Sequence, residues 1–190
     1  MIDTTGVGAV RSRLMEHSDP QKEMLKAVIF RLSGHEHAVD VRQVKEILIN
    51  KPVSPVVEAP DFVDGVIRLR GRIVPIIDLA RRLKLPMTPR TVETCMIVVK
   101  LGNKLAGFIV DSASELLNIP VSKIEVPTDI VGGIHTRFIE GVVYLGDRFL
   151  VILDLDSVLK VSEKELAELS EIDMESESLP ESEEEGIYAG

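Results

Sequence analysis

Two stretches of this chain repeat one another, and this duplication limits the possible folds more than any other feature of the sequence. At an offset of 69, residues 28–48 align with residues 97–117, and their apolar positions coincide. At an offset of 76, residues 62–83 align with residues 138–159, and nine of the 22 aligned positions are identical. Agreement at this level in so short a segment indicates two copies of one structural unit.

The composition predicts a globular protein with no long-range preference for nucleic acid. The chain has 190 residues, of which 45% are hydrophobic, and this is enough to bury a substantial core. The net charge of −9 comes from the C-terminus, because residues 161–190 contain eleven Asp or Glu against the single base Lys164. Without these residues, the remaining chain (1–160) has 21 bases and 20 acids. Its net charge is therefore close to zero, and no overall electrostatic attraction favours binding to nucleic acid or to an anionic membrane.

No segment indicates membrane insertion or secretion. The longest apolar runs, at residues 73–77 and 149–153, are about five residues long, whereas a membrane-spanning helix needs about 20. The N-terminus has no secretion signal, and the single Cys95 has no partner thiol, which fits a reducing compartment. We therefore expect a cytoplasmic protein without direct membrane insertion.

Short strands separated by turns recur through both copies. Runs rich in β-branched residues flank the turn sequences Ser33-Gly34, Gly102-Asn103 and Gly146-Asp147, a pattern that is typical of β-hairpins. The predicted hairpins pair residues 28–32 with 37–41, 65–69 with 73–77, and 141–145 with 148–153.

Two other segments carry a helical rather than an alternating pattern. In residues 41–48 and 110–117 the apolar side chains recur every three or four positions, which predicts a helical turn or two in each copy. An Asp stands near the start of these segments, and another ends each of the later hairpins, where it can cap a following helical turn. The candidate capping residues are Asp40, Asp78, Asp111 and Asp154.

Together these elements predict an all-β fold with minor helix, built as a pair of small barrels.

Ser162 and Glu165 form a capping box ahead of Leu166 and Leu169, which predicts a C-terminal helix. The predicted organisation is a mobile leader (residues 1–23), a folded region (24–160) with approximate halves 24–90 and 91–160, a helix (161–172) and an acidic disordered tail (173–190).

The hairpin in the first copy resembles the signature of a known family. The segment GVIRLRGRIVPIIDL at residues 65–79 is similar to the signature of the CheW family, the chemotaxis coupling proteins of bacteria. The segments VKEIL at residues 44–48, FIVDSASELL at 108–117 and YLGDRFLVILDLDSVL at 144–159 occur in the order and spacing of that family. The resemblance covers residues 24–160, the whole predicted folded region.

The resemblance implies a fold, a function and partners. The fold of the family is two five-stranded OB-like barrels that exchange strands across a shared hydrophobic interface. The function of the family is scaffolding, in which the protein links the cytoplasmic tip of a chemoreceptor (a methyl-accepting chemotaxis protein) to the regulatory domain of the CheA histidine kinase. Such a protein works at membrane-associated receptor arrays through these partners, without a cofactor, a small-molecule substrate or a catalysed reaction.

Comparing the two copies separates residues that serve the fold from polar residues that are freer to serve a partner. Gly65 is duplicated as Gly141, which favours a structural role, although it begins the family signature and stays among the candidates. Arg70 has no basic counterpart, because Gly146 stands at the equivalent position. Its guanidinium fork suits carboxylates and flat protein surfaces, so Arg70 is a candidate for partner binding.

The resemblance extends this candidate site. It implies an ion pair between Arg70 and Glu46, and an apolar groove between the barrels that grips a receptor helix. Helix-in-groove binding needs an apolar trough with few charges, although burial within each barrel is an equally good explanation for these apolar residues. The predicted partner-binding residues are Val44, Glu46, Ile47, Gly65, Arg70, Gly107, Ala113 and Leu116.

No catalytic or metal-binding constellation is predicted. His35 and His37 have no third ligand nearby. Asp147, Asp154 and Asp156 lack the glycine and the distal glutamate of a calcium-binding loop. Neither a phosphate-binding GxxxxGK[ST] segment nor a GxSxG elbow occurs, so we expect no enzyme, no metal and no cofactor.

Two other functions are compatible with the same fold. The protein could couple a chemosensory array that controls something other than flagella. It could also be an OB-type oligonucleotide-binding protein, but such proteins stack bases on aromatic residues, and this chain has only five Phe, two Tyr and no Trp. The acidic tail has two explanations as well, a solubilising extension or a competitor for a basic surface on a partner.

Overall fold

Ten strands dominate the structure, a computed structural model that describes residues 23–160. The strands are β1 (Met24–Leu32), β2 (His35–Asp40), β3 (Val44–Ile49), β4 (Val63–Leu69), β5 (Arg72–Asp78), β6 (Cys95–Leu101), β7 (Lys104–Val110), β8 (Ser112–Pro120), β9 (Ile139–Leu145) and β10 (Arg148–Leu153). Two short helices, α1 (Leu79–Leu83) and α2 (Leu155–Leu159), follow β5 and β10, and single-turn 3-10 helices span Val121–Lys123 and Thr136–Phe138. The prediction of an all-β fold is confirmed. The predicted C-terminal helix, the acidic tail and all of the leader except its last residue lie outside the described residues.

Each of the two sheets takes strands from both copies. The strand order is β8-β1-β2-β10-β9 in sheet I and β3-β6-β7-β5-β4 in sheet II. Replacing every strand by its duplicate converts one order into the other, so the repeat relates the two sheets. The pairs β2–β10 and β5–β7 are parallel and the other pairs are antiparallel. The first hairpin of each copy therefore completes a sheet whose remaining strands come from the other copy.

Each sheet curls around side chains of its own strands. The inner cluster of sheet I includes Ile29, Ile119 and Leu150, and that of sheet II includes Ile76 and Val98. All the buried members of each cluster come from one sheet. Because no second layer covers this face, the sheet excludes water from it by wrapping into a small barrel.

A third and larger cluster of buried residues joins the two barrels. It contains Phe30 of sheet I and Phe108 of sheet II, and Leu79 of α1 and Leu155 of α2 extend it. Burying each such side chain contributes roughly 1.5–3 kcal/mol, so this layer holds the barrels together. Strand β1 serves two clusters, since Phe30 faces this central layer while its neighbour Ile29 faces the inside of the barrel.

The later hairpins and their helix caps form as predicted. In both hairpins the two strands pair in antiparallel register up to the turn. Asp78 accepts a hydrogen bond from the backbone N–H of Arg81, and Asp154 accepts one from that of Ser157, each at 3.1 Å. These carboxylates satisfy backbone donors that the first turns of α1 and α2 leave open.

The prediction of helical turns at residues 41–48 and 110–117 is wrong, because strands β3 and β8 occupy most of these positions. A β-bulge in each strand explains the misleading pattern. In the strand register, Lys45 is paired with no residue of β6, and its duplicate Ser114 is paired with no residue of β1. The extra residue interrupts the alternation of strand faces, so apolar residues recur every three or four positions, as they do in a helix.

Asp40 and Asp111 are also not helix caps, which corrects a second sequence-based prediction. Asp40 accepts hydrogen bonds from the backbone N–H of Arg42 at 2.8 Å and from its Nε at 2.9 Å. Asp111 accepts from the backbone N–H of Ser33 at 2.8 Å and from the hydroxyl of Thr88. Both carboxylates therefore hold turns and connections in place.

One histidine lies inside the fold. His37, on β2, is 2% exposed and stacks on Phe30 with the ring centroids 5.6 Å apart. Its Nδ1 donates to the backbone carbonyl of His35 at 3.1 Å. Burial lowers the pKa of His37 to about 4, because the charged imidazolium loses its hydration inside the protein. The folded protein therefore holds this ring neutral at pH 7.

This buried ring predicts a loss of stability in mild acid. Between pH 6.5 and about 4, the unfolded chain takes up a proton on His37 that the folded chain does not. The free energy of unfolding should therefore fall by about 2–3 kcal/mol between pH 7 and pH 4.5, on account of this residue. Urea unfolding followed by circular dichroism at the two pH values measures the change.

The matched control is His37→Phe, which keeps an aromatic ring beside Phe30 and cannot titrate. Glu36 adds a loss in the same direction, because a hydrogen bond from Arg148 lowers its pKa, but this contribution is common to both proteins. The difference between the two pH dependences therefore isolates His37. Equal losses in the parent protein and the variant would refute the assignment.

Candidate functional site

An exposed ion pair joins the two outer strands of sheet II. Arg70 stands in the β4–β5 turn, and its Nη2 lies 3.5 Å from Oε1 of Glu46 on β3. The side chain of Arg70 is 82% exposed and that of Glu46 is 26% exposed. Arg70 and Gly71 both have positive φ, 50° and 77°, as a two-residue hairpin turn requires. The structure thus forms the pair that the family resemblance implies, while a role for it in binding stays a prediction.

The second copy uses the equivalent glutamate differently. Glu115, the duplicate of Glu46, accepts a hydrogen bond at 2.7 Å from Arg148, which also binds both carboxylate oxygens of Glu36 at 2.9 and 3.0 Å. These hydrogen bonds raise the pKa of Arg148, the bond to Glu36 most strongly, and the same bond lowers the pKa of Glu36. This three-residue network ties β2, β8 and β10 of sheet I together, so its role is structural.

The first copy cannot build that network. Leu105 stands where the repeat would place a second Glu36, and Arg72, the duplicate of Arg148, donates instead to the backbone carbonyl of Asn103 at 3.3 Å. Glu46 is therefore left to the exposed turn residue Arg70. The comparison of the two copies did not predict that Glu46 lacks this network. The leucine at position 105, where the repeat would place a glutamate, was the signal that indicated it.

The predicted apolar residues divide into two equivalent pairs. Val44 and its duplicate Ala113 are partly buried and pack against the central layer between the barrels. Ile47 is 41% exposed, and its duplicate Leu116 is 54% exposed. The first member of each pair lies on β3 and the second on β8, and each of these strands is one of the two edge strands of its sheet. The bulge brings positions three apart to one face of each strand, so Val44 and Ile47 both lie opposite β6 residues of the central layer, although only Val44 packs against it.

A further exposed residue extends the apolar surface of β3. Ile49 is 65% exposed and lies two positions after Ile47, on the same side of the strand. The predicted helical segment ended at Leu48, so Ile49 lay outside it and was not among the candidates. Recognition of β3 as a strand would have identified it, since residues 47 and 49 share one face.

Gly65 and Gly107 are buried, and a role for them in partner binding stays a prediction. A Cβ on Gly65 would come 2.1 Å from the backbone oxygen of Ser54, which exchanges backbone hydrogen bonds with Val66. A Cβ on Gly107 would come 2.5 Å from Cδ1 of Ile76. Neighbouring atoms leave no room for a side chain at either position, so close packing is enough to explain both glycines.

The arrangement suits recognition of a protein surface. Within residues 23–160, no group of three or more His, Cys, Asp or Glu is placed to hold a metal ion. In the same part of the chain, no helix is long and apolar enough to cross a membrane. What the site presents is an ion pair and exposed apolar residues on β3, with duplicates of the apolar residues on β8 of the other sheet.

Comparison with known proteins gives one consistent family. The sequence model described as "CheW-like domain" matches residues 26–163. The chemotaxis protein CheW of Rhizobium meliloti (strain 1021) is 33% identical over 140 residues, which cover 74% of this chain and 90% of that protein. The chemotaxis protein CheW of Bacillus subtilis (strain 168) is 35% identical over 134 residues, with 70% and 86% covered. The crystal structure of a scaffolding protein, TtCheW of Thermoanaerobacter tengcongensis, superposes with a TM-score of 0.71 at 31% identity, over 75% of this chain and 97% of that one.

The close packing around Gly65 predicts that its replacement damages the fold. Gly65→Ala should lower the free energy of unfolding by about 3 kcal/mol, because the new Cβ overlaps backbone at a position with a φ of 148°. Gly71→Ala, in the exposed turn, should cost only about 1 kcal/mol, since no atom lies within 4 Å of the added carbon. Urea unfolding of both variants measures these values. Equal stability of the two would show that Gly65 is not a packing residue.

Proposed function

The chain belongs to the CheW-like family, and we propose from this that it is a chemotaxis adaptor that couples chemoreceptors to the CheA histidine kinase. The observation that carries the proposal is the extent of the similarity. It covers the whole described fold, and the relatives named above are chemotaxis proteins and a scaffolding protein. An adaptor of this kind acts by holding other proteins together, without making or breaking a covalent bond, and it reaches membrane-associated receptor arrays through its partners.

The Arg70–Glu46 pair is our candidate for the contact that orients a partner. An exposed ion pair contributes only about 0–1 kcal/mol to stability, so folding gives little reason for this arginine. The duplicate turn does without it, since Gly146 and Asp147 close the same hairpin. Glu46 fixes one side of the guanidinium, and the remaining N–H donors face solvent, where they can bind a carboxylate of the partner.

The apolar residues of β3 and β8 provide the rest of the proposed surface. Ile47 and Leu116 are exposed on the edge strands, while Val44 and Ala113 lie deeper, against the central layer. We propose that this surface takes one face of a receptor helix, with apolar contacts supplying affinity and the charged pair supplying orientation. The experiment that tests the function is co-sedimentation of the purified chain with a receptor cytoplasmic fragment and the kinase, with ATP turnover as the readout.

Charge reversal at Arg70 should abolish coupling and spare the fold. In Arg70→Glu the new carboxylate faces Glu46, so the oriented cation is replaced by two repelling anions. We expect loss of co-sedimentation and of kinase activation, with the unfolding free energy within about 1 kcal/mol of the parent value. Lys123→Glu, which makes the same charge change in the 3-10 helix after β8, should keep both activities.

The double variant Arg70→Glu/Glu46→Arg separates two roles of the pair. It restores the ion pair with the charges exchanged, so recovery of coupling would mean that the pair only fixes the turn. Continued loss would mean that the guanidinium itself meets the partner, as we propose. If Arg70→Glu is unfolded in a thermal melt, the residue serves the fold and the proposal for this site is wrong.

A further inference from the structure

A basic groove lies where the two copies meet at the ends of α1 and α2. It has a volume of about 770 Å³, and the 3-10 helix before β9 and the segment before β4 form its other walls. Five of its lining side chains are basic and one, Asp61, is acidic. The basic residues are Arg81, Arg82, Lys84, Arg137 and Lys160.

The groove also has an apolar component that holds some of these charges in place. The guanidinium of Arg82 lies 4.8 Å from the ring centroid of Phe62 and 5.4 Å from that of Phe138. Arg137 lies 4.4 Å from the centroid of Phe138. Met87, which is 51% exposed, adds apolar surface. Nε of Arg82 donates to the backbone carbonyl of Val158 at 2.9 Å, so Arg82 also links α1 to α2. A guanidinium above an aromatic ring, such as that of Arg137, keeps its N–H donors at the ring edge, where they can bind an anion.

The repeat separates the aromatic part of the groove from its three arginines. Phe62 and Phe138 are equivalent residues of the two copies, so the aromatic rings belong to the common scaffold. Arg81, Arg82 and Arg137 have no basic counterparts, because the equivalent residues are a serine, a valine and an aspartate. Lys84 and Lys160 are equivalent residues of the two copies, so the positive charge that is specific to one copy comes from the three arginines, as at Arg70.

The chain itself carries a segment of complementary chemistry next to this groove. Lys160, the last described residue, lines the groove, and the following 30 residues contain eleven acids and one base. Residues 171–177 combine four acids with the apolar Ile172 and Met174 and contain no base. Residues 181–185 are acidic but have no apolar side chain, so they match the charge of the groove and not its aromatic surface.

We propose that residues 171–177 dock in this groove of their own chain, with carboxylates on the arginines and apolar side chains on the phenylalanine rings. The ten intervening residues can span up to about 33 Å, so the tether permits the contact. A tethered segment has an effective concentration in the millimolar range, which fills even a weak site. The docked tail would exclude other acidic segments from the groove. This contact needs neither receptor nor kinase and is independent of the function proposed above.

Backbone amide NMR spectra of the full chain and of a chain ending at Ser170 test the proposal. We expect truncation to shift the resonances of Arg81, Arg82 and Arg137 and of their neighbours. The difference should vanish in about 1 M salt, where the screening length falls to about 3 Å. Absence of any shift, or shifts confined to the groove lined by Ile73, Leu105 and Leu159, would overturn the proposal.

Neutralisation provides a matched control in the full chain. One variant changes Glu171, Glu175 and Glu177 to Gln and Asp173 to Asn, and the other changes Glu181, Glu183, Glu184 and Glu185 to Gln. Each removes four negative charges, but only the first should reproduce the spectrum of the truncated chain. Equal effects would mean general attraction without a specific segment. Shifts that grow with protein concentration would place the tail on a second copy, which also contradicts the proposal.

Discussion

The central apolar layer between the two barrels is the constraint on which the rest of the structure depends. Strands β1 and β6 lie within it and bury side chains on both faces, with Phe30 and Ile97 facing the layer and Ile29 and Val98 facing the barrels. Because each barrel contains strands from both copies, neither copy can bury its apolar surface alone. The two halves of the chain therefore form one cooperative unit, even though the sequence repeats.

The repeat also acts as an internal control for the meaning of individual residues. Glu46 and Glu115 arise from the same position of the unit, yet Glu115 closes a structural network with Arg148 while Glu46 meets an exposed arginine. The backbone fold is the same at the two positions. The different partners of the two glutamates therefore reflect the side chains around each of them and not a requirement of folding. The same comparison distinguishes the single-copy arginines at the groove between the helices from the duplicated phenylalanines beneath them.

Features set by local sequence were predictable, and features set by strand pairing between distant segments were not. The later hairpins and the caps at Asp78 and Asp154 depend on turn residues and nearby backbone, which the sequence displays directly. The bulges in β3 and β8 depend on partners elsewhere in the chain, so their apolar spacing looked helical. The burial of Gly107 was not predictable either. It results from packing against Ile76 of the parallel neighbour strand, and no local pattern in the sequence reveals that contact. The Arg70–Glu46 pair came from family resemblance, since turn chemistry alone does not require an arginine.

A repeated fold that must bind different partners needs surfaces that differ while its core stays the same. The core cannot diverge freely, because a changed volume in a packed interior costs about 1–3 kcal/mol or more. Exposed ion pairs change the free energy of unfolding by little, so polar residues at the surface can differ between the copies with almost no effect on stability. This difference in free-energy cost explains why most equivalent buried positions are apolar in both copies, while the exposed positions of Arg70 and Arg137 differ. The asymmetry of the surface is then the part of the molecule that selection for binding could shape, and both proposed contacts lie there.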